Sequence, residues 1–105
     1  MVVLVTGANG QLGQAIKSIS RKYPEIDFVF CSSSDLDITN FENCQAVFDE
    51  FQPQFCINAA AYTAVDKAES EPAKAFDINA NGAENLAITC KKFNTILIHI
   101  STDFV

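Results

Sequence analysis

Apolar positions along this chain switch between two periods. Residues 2–6 (VVLVT) form a short β-branched apolar run, the pattern of a buried strand. After a glycine-rich turn, Leu12, Ala15, Ile16 and Ile19 recur at helical spacing and predict a helix with one apolar face, with Pro24 beyond its end. Residues 26–31 (IDFVFC) predict a second strand and residues 32–35 (SSSD) a loop. Thr39 and Glu42 have capping-box spacing. The helix they would open carries Phe41, Cys44, Phe48 and Phe51 on one face, with the three phenylalanines expected in the core, and Pro53 stops it. Residues 54–58 (QFCIN) predict a third strand. The polar stretch 63–72 leads to Pro72, which enters a long helix with Phe76, Ala80, Ala83, Ala87 and Cys90 as its apolar face. Residues 95–101 (TILIHIS) predict a fourth strand, where His99 alternates with Ile98 and Ile100 and reads as a packing residue.

The resulting order, β-α-β-α-β-α-β, implies an α/β fold: a Rossmann-type doubly wound parallel sheet of about four strands and three helices. Residues 1–105 read as one NAD(P)-binding domain, incomplete at its C-terminal end, because the sequence stops directly after a strand. The expected strand order is 3-2-1-4. It leaves the fourth strand as a bare apolar edge that predicts self-association, hence a homodimer.

The glycines acquire meaning from this frame. Gly7, Gly10 and Gly13 lie between the first strand and the first helix, spaced G-x-x-G-x-x-G. A Rossmann fold holds a pyrophosphate at this point, on the helix N-terminus. One glycine permits the tight turn, one lets the phosphates approach the backbone, and one lets the helix pack on the strand.

The cofactor's 2′ group is read near the end of the second strand. An acidic residue there would favour NADH. Cys31, Ser32, Ser33 and Ser34 stand there instead, with Asp35 slightly later and no arginine. The pattern leans to NADPH and keeps NADH in play. Asp37 is placed to reach the adenine edge, or else is a plain turn aspartate.

Charge and cysteines narrow the function further. Seven basic against thirteen acidic residues give a net charge of −6, without a Lys/Arg cluster, which excludes a nucleic-acid role resting on a basic patch. No apolar run reaches the roughly 18 residues of a membrane span, and MVVLV lacks the basic start of a signal peptide. Cys31, Cys44, Cys56 and Cys90 make no C-x-x-C pair and lie far from the single histidine, so a metal site is not expected. They read as reduced core thiols of a cytoplasmic protein.

The motifs together resemble the extended short-chain dehydrogenase/reductases. TGANGQLG (6–13) is similar to that family's glycine motif, NAAA (58–61) to its segment after the third strand, DINANGAENLA (77–87) to its long-helix motif, and HISTDFV (99–105) to its catalytic strand. INAAAYTAVDKAESEP (57–72) with STDFV (101–105) points to the family's nucleotide-sugar reductases. The resemblance implies reduction of the 4-keto group of a dTDP-linked 6-deoxyhexulose, giving dTDP-L-rhamnose. It places Gly7, Gly10, Gln11, Leu12 and Gly13 in the pyrophosphate turn, and Asp37 and Ile38 beside the adenine. It places Ala59, Ala60, Ala61, Tyr62 and Thr63 along the ribose and nicotinamide, Asn79 near the cofactor, and Ile100 under the nicotinamide. Thr102 would be the catalytic threonine, and Asp103 would face the sugar.

The family's proton-donating pair, Y-x-x-x-K, is missing: four residues after Tyr23 and Tyr62 stand Asp27 and Asp66. The 105 residues are therefore expected to carry the cofactor half of a reductase site without turning over. Two other readings stay open: a non-catalytic dinucleotide-binding regulatory module, and a nucleotide-sugar epimerase or dehydratase. Asp66, Lys67, Glu69 and Glu71 read as a solvated loop face or as substrate contacts.

Overall fold

A computed structural model of the chain describes residues 1–60 and 78–99, the last group without the side chains of Ile78, Asn79 and His99. The elements follow the expected alternation: β1 (Val2–Thr6), α1 (Gln11–Ser20), β2 (Asp27–Phe30), α2 (Phe41–Phe51), β3 (Phe55–Asn58), a π-helical turn (Ile78–Gly82) running into α3 (Ala83–Lys92), and β4 (Ile96–His99). All strand pairs are parallel, and the register sets Val3 against Phe28 and Phe55, and Cys56 against Leu97.

The strand order is β2-β1-β3-β4, not 3-2-1-4. Burial accounts for the difference. β1, with Leu4 and Val5 at 0 % exposure, is interior in either order, and the difference lies in β3, which buries Cys56 and Asn58 and takes an inner place. β2 is only half-buried and starts on exposed Asp27, which suits an edge. The chain goes from β1 to β2 on one side, then crosses to β3 on the other.

The two faces of the sheet are covered differently. Under α2 and α3 lie Leu4, Leu36, Phe48, Cys56, Leu86 and Cys90, all buried. Under α1 lie Val3, Val5 and Ala59, with Leu12, Ile16 and Phe28 partly buried around them.

Several expected helix details differ. In α1 the covered stripe is Leu12 and Ile16, while Ala15 and Ile19 remain exposed because the helix packs on the sheet over its early turns. The α2 N-cap is Asn40, whose side chain accepts from Asn43 N–H. Thr39 lies one residue outside the helix, and its N–H and hydroxyl donate to Asp37 Oδ1. Phe48 is fully buried and Phe51 packs at the core margin, but Phe41, in the first turn, is exposed. From the π turn into α3 the buried positions are Gly82, Leu86, Thr89 and Cys90; Cys90 of the expected face is buried, while Ala80, Ala83 and Ala87 are not. The π turn at 78–82 holds an extra residue per turn, and this rotates the phase of everything after it. Phe76 lies outside the described residues. α2 ends where Gln52 takes a left-handed conformation, φ 46°, one residue before Pro53.

Candidate functional site

Strand order reverses between β1 and β3, and in open α/β sheets a crevice forms outside the carboxyl ends of the strands at that point. Gly7 follows β1 there, and Ala59 and Ala60 follow β3. Gly7 has φ +61°, and a Cβ on it would stand 2.7 Å from both the Cα and the N of Ala60. Only glycine allows this turn and this approach together. A Cβ at Gly13 would lie 2.6 Å from Ala8 Cα and from Gly7 O, so α1 also packs against the turn through a bare backbone.

The turn is tied on both sides. Gly10 N–H donates to Gly7 O at 3.0 Å, and Ala8 N–H donates to Cys31 O at 3.0 Å, which fastens it to the end of β2. α1 starts at Gln11 with Gly10 as N-cap, without a side-chain cap and without an acidic residue in its first turn. Leu12 sits in that turn, partly buried under the sheet. The first N–H groups of a helix so uncapped are open to an anion.

A buried polar pair fixes the other wall. Thr6 and Asn58 are both fully buried, and Thr6 Oγ1–H donates to Asn58 Oδ1 at 2.9 Å. Ala60 N–H donates in turn to Thr6 Oγ1 at 3.3 Å. The ends of β1 and β3 are thereby held in register, with Ala59 buried behind them.

The third wall comes from the segment before α2. Asp37 N–H donates to Asn43 Oδ1 at 2.7 Å, and Asp37 Oδ1 receives the two Thr39 donors at 3.0 and 2.6 Å. Asp37 is thus a turn aspartate and also a lining residue. Ile38 is buried, and its carbonyl accepts from Asn85 Nδ2–H at 2.9 Å. A Cβ at Gly82 would come within 2.6 Å of Ile38 Cδ1. Gly82 and Asn85 are the glycine and second asparagine of the long-helix motif, and in this fold they hold Ile38. Asn85 was not singled out in the sequence, although the motif spacing carried its signal.

Gly7, Ser33, Leu36, Asp37, Ile38 and Ala60 together line a cavity of about 60 Å³. That is room for about two waters, so these residues form the inner wall of a site rather than its whole. The cavity brings together Gly7, Asp37, Ile38 and Ala60 with Ser33 of the turn after β2, and Leu36, which was not singled out in the sequence, joins them. Ala61, Tyr62, Thr63, Ile100, Thr102 and Asp103, and the side chain of Asn79, lie outside the described residues, as do Asp66, Lys67, Glu69 and Glu71.

The four thiols are free and buried. Burial pushes Cys31 up to about 11, helped by the nearby Asp35 and Glu50 charges. Burial likewise pushes Cys44 up to about 11, with Asp37 adding to it. Cys56 is raised well above the ordinary range by its hydrogen bond to Cys90 and by burial. Raised thiols such as Cys31, Cys44 and Cys56 are poor nucleophiles, whereas the hydrogen bond with Cys56 lowers Cys90. Among the described residues no cluster of His, Cys, Asp or Glu is placed to hold a metal ion, and no helix is long and apolar enough to cross a membrane.

Comparison with known proteins adds to this geometry. The family model described as the RmlD substrate binding domain matches residues 1–105. A dTDP-4-dehydrorhamnose reductase from Aggregatibacter actinomycetemcomitans is 39 % identical over 103 residues, 98 % of this chain and 35 % of that protein. The crystal structure of dTDP-4-dehydrorhamnose reductase from Bacillus anthracis in complex with NADP superposes with a TM-score of 0.82 at 42 % identity, over 95 % of this chain and 35 % of that one. A crystal structure of a Clostridium acetobutylicum relative, also a dTDP-4-dehydrorhamnose reductase, gives 0.82 at 40 % identity, over 96 % and 36 %. The chain spans about a third of the length of the relatives it matches.

Proposed function

The chain belongs to the RmlD substrate binding domain family, and on that premise we propose that it is the cofactor-binding part of an NAD(P)H-dependent nucleotide-sugar reductase of the dTDP-4-dehydrorhamnose type. The observation that carries this reading is the crevice at the strand-order reversal, where Gly7 and Ala60 approach too closely for any side chain.

The residues fit a dinucleotide. Gly7, Gly10, Gln11, Leu12 and Gly13 form a turn whose helix N–H groups take the pyrophosphate. Asp37 and Ile38 border the adenine. Ala59 and Ala60, continued by Ala61, Tyr62 and Thr63, run along the ribose and nicotinamide, with Asn79 nearby and Ile100 beneath the ring. Thr102 donates a hydrogen bond to the keto oxygen as negative charge develops on it, and Asp103 faces the sugar. The bound NADPH supplies the hydride. Among the described residues no carboxylate lines the crevice near the end of β2 except Asp37, whose Oδ1 accepts from Thr39, and this favours NADPH over NADH.

The substrate in this reading is a dTDP-linked 4-keto-6-deoxyhexulose. No Y-x-x-x-K occurs in the 105 residues, so they bind the dinucleotide without passing a proton to the sugar. The reduced, buried thiols suit the cytoplasm.

Calorimetric titration of the chain with NADPH tests the reading. Binding is expected, and Gly7→Ala should weaken it, with a parallel urea titration separating lost binding from lost stability. Addition of the dTDP-keto sugar should not consume NADPH. A chain that binds neither NADPH nor NADH overturns the proposal.

A further inference from the structure

The turn after β2 controls which dinucleotide the crevice accepts, an inference that rests on reading the crevice as a dinucleotide site. Asp35 is folded back in this turn. Its Oδ2 accepts from Ser32 N–H at 3.1 Å and from Ser32 Oγ–H at 3.0 Å, while its own N–H donates to Ser32 O at 3.0 Å. The carboxylate is thereby held on the α2 side of β2. It lines, with Val47, Glu50 and Phe51, a cleft of about 340 Å³. The residue of this turn that lines the crevice beside Gly7 is Ser33.

The placement matters because a carboxylate near the end of the second strand binds a ribose 2′-hydroxyl and repels a 2′-phosphate. Asp35 and Ser33 share one tight turn, so a released Asp35 side chain reaches the surroundings of Ser33. Glu50 lines the same cleft. The two Ser32 donors oppose such a release.

We propose that Ser32 is a positioning residue that latches Asp35 away from the crevice, so that the 2′-phosphate of NADPH is accepted beside Ser33. The ratio of NADPH to NADH affinity, measured by calorimetry on the full chain, reads this directly. Ser32→Ala removes the hydroxyl bond and keeps the Ser32 N–H bond, so it should lower the ratio about threefold, below the about fivefold that a fully released charge ~4 Å away in water would give. Ser32→Thr, which keeps the hydroxyl, should restore it.

In an Asp35→Asn background, Ser32→Ala should change the ratio less than about twofold, because the charge it releases is gone. An unchanged ratio in Ser32→Ala overturns the latch. So does an equal fall in the Asp35→Asn background, which would assign the effect to the serine itself. A parent chain that binds neither dinucleotide overturns both this inference and the functional reading. Binding of both with an unmoved ratio overturns the latch alone.

Discussion

Gly7 shows how one residue can fix a site. Its positive φ and its 2.7 Å clearance to Ala60 are independent requirements, and alanine violates both. Gly7→Ala should cost at least about 1–2 kcal/mol from the left-handed backbone alone, more once Ala60 is pushed aside, and a urea titration would show it. The Gly7 requirement was legible, because glycines repeat visibly in sequence. The Thr6–Asn58 pair was not, since its partners lie 52 residues apart and neither type is diagnostic. Thr6→Val removes both bonds of a fully buried hydroxyl. The expected loss is about 1–3 kcal/mol, together with weaker NADPH binding as Ala60 loses its anchor. The thiols give a pH signature. Cys31 and Cys44 titrate near 11 in the fold against an ordinary value of 9.0. Between pH 9 and pH 11 the unfolded chain releases protons that the folded chain retains, so stability falls as pH rises through that window. Comparing urea midpoints of the parent and a Cys31→Ala/Cys44→Ala variant isolates this: the parent should lose more stability across the window.

Elements were legible in kind and order, less so in their ends and faces. Every strand and helix expected over the described residues is present, because period and proline placement report them locally. The α2 cap was misplaced by one residue. Thr39 has the right spacing to Glu42, but the helix starts at Phe41, which puts Asn40 in the cap position, where its Oδ1 accepts from Asn43 N–H, while Thr39 donates to Asp37 instead. Asn40→Ala should therefore cost about 1 kcal/mol, the usual loss of a side-chain cap. A cap role for Thr39 would demand a comparable loss of helix stability in Thr39→Ala. The structure predicts instead that Thr39→Ala weakens dinucleotide binding, through Asp37, more than it lowers the urea midpoint. The α3 face was misassigned for a different reason. A steady 3.6-residue count from Phe76 forward assumes an unbroken α-helix, and the π turn at 78–82 breaks the count. The turn brings Gly82 and Asn85 onto Ile38, so the irregularity serves the crevice wall.

For the whole molecule, alternation of elements gave the fold class, while strand order depended on which strand was buried best, a property of the packed sheet. The order found changes what the edges are. β2 and β4 end the sheet among the described residues. On β4, Leu97 points to the core under α2 and α3, whereas Ile96 and Ile98 are 58 % and 40 % exposed. Their neighbours across β3 are Phe55 and Ile57, which lie at the margin of the α1-side cluster. This face is thus apolar and half-covered at β4, the strand that ends the sheet on that side among the described residues. Edges of that kind pair with another strand. The 105-residue chain should therefore self-associate at high micromolar concentration through β4. Sedimentation should show a dimer or larger species, with slow amide exchange at residues 96–99. Ile96→Lys with Ile98→Lys should return a monomer, since lysines on an edge oppose pairing and these two side chains carry little of the core. A parent chain that sediments as a monomer, with fast exchange along β4, would show that this edge is tolerated in water and would withdraw the dimer.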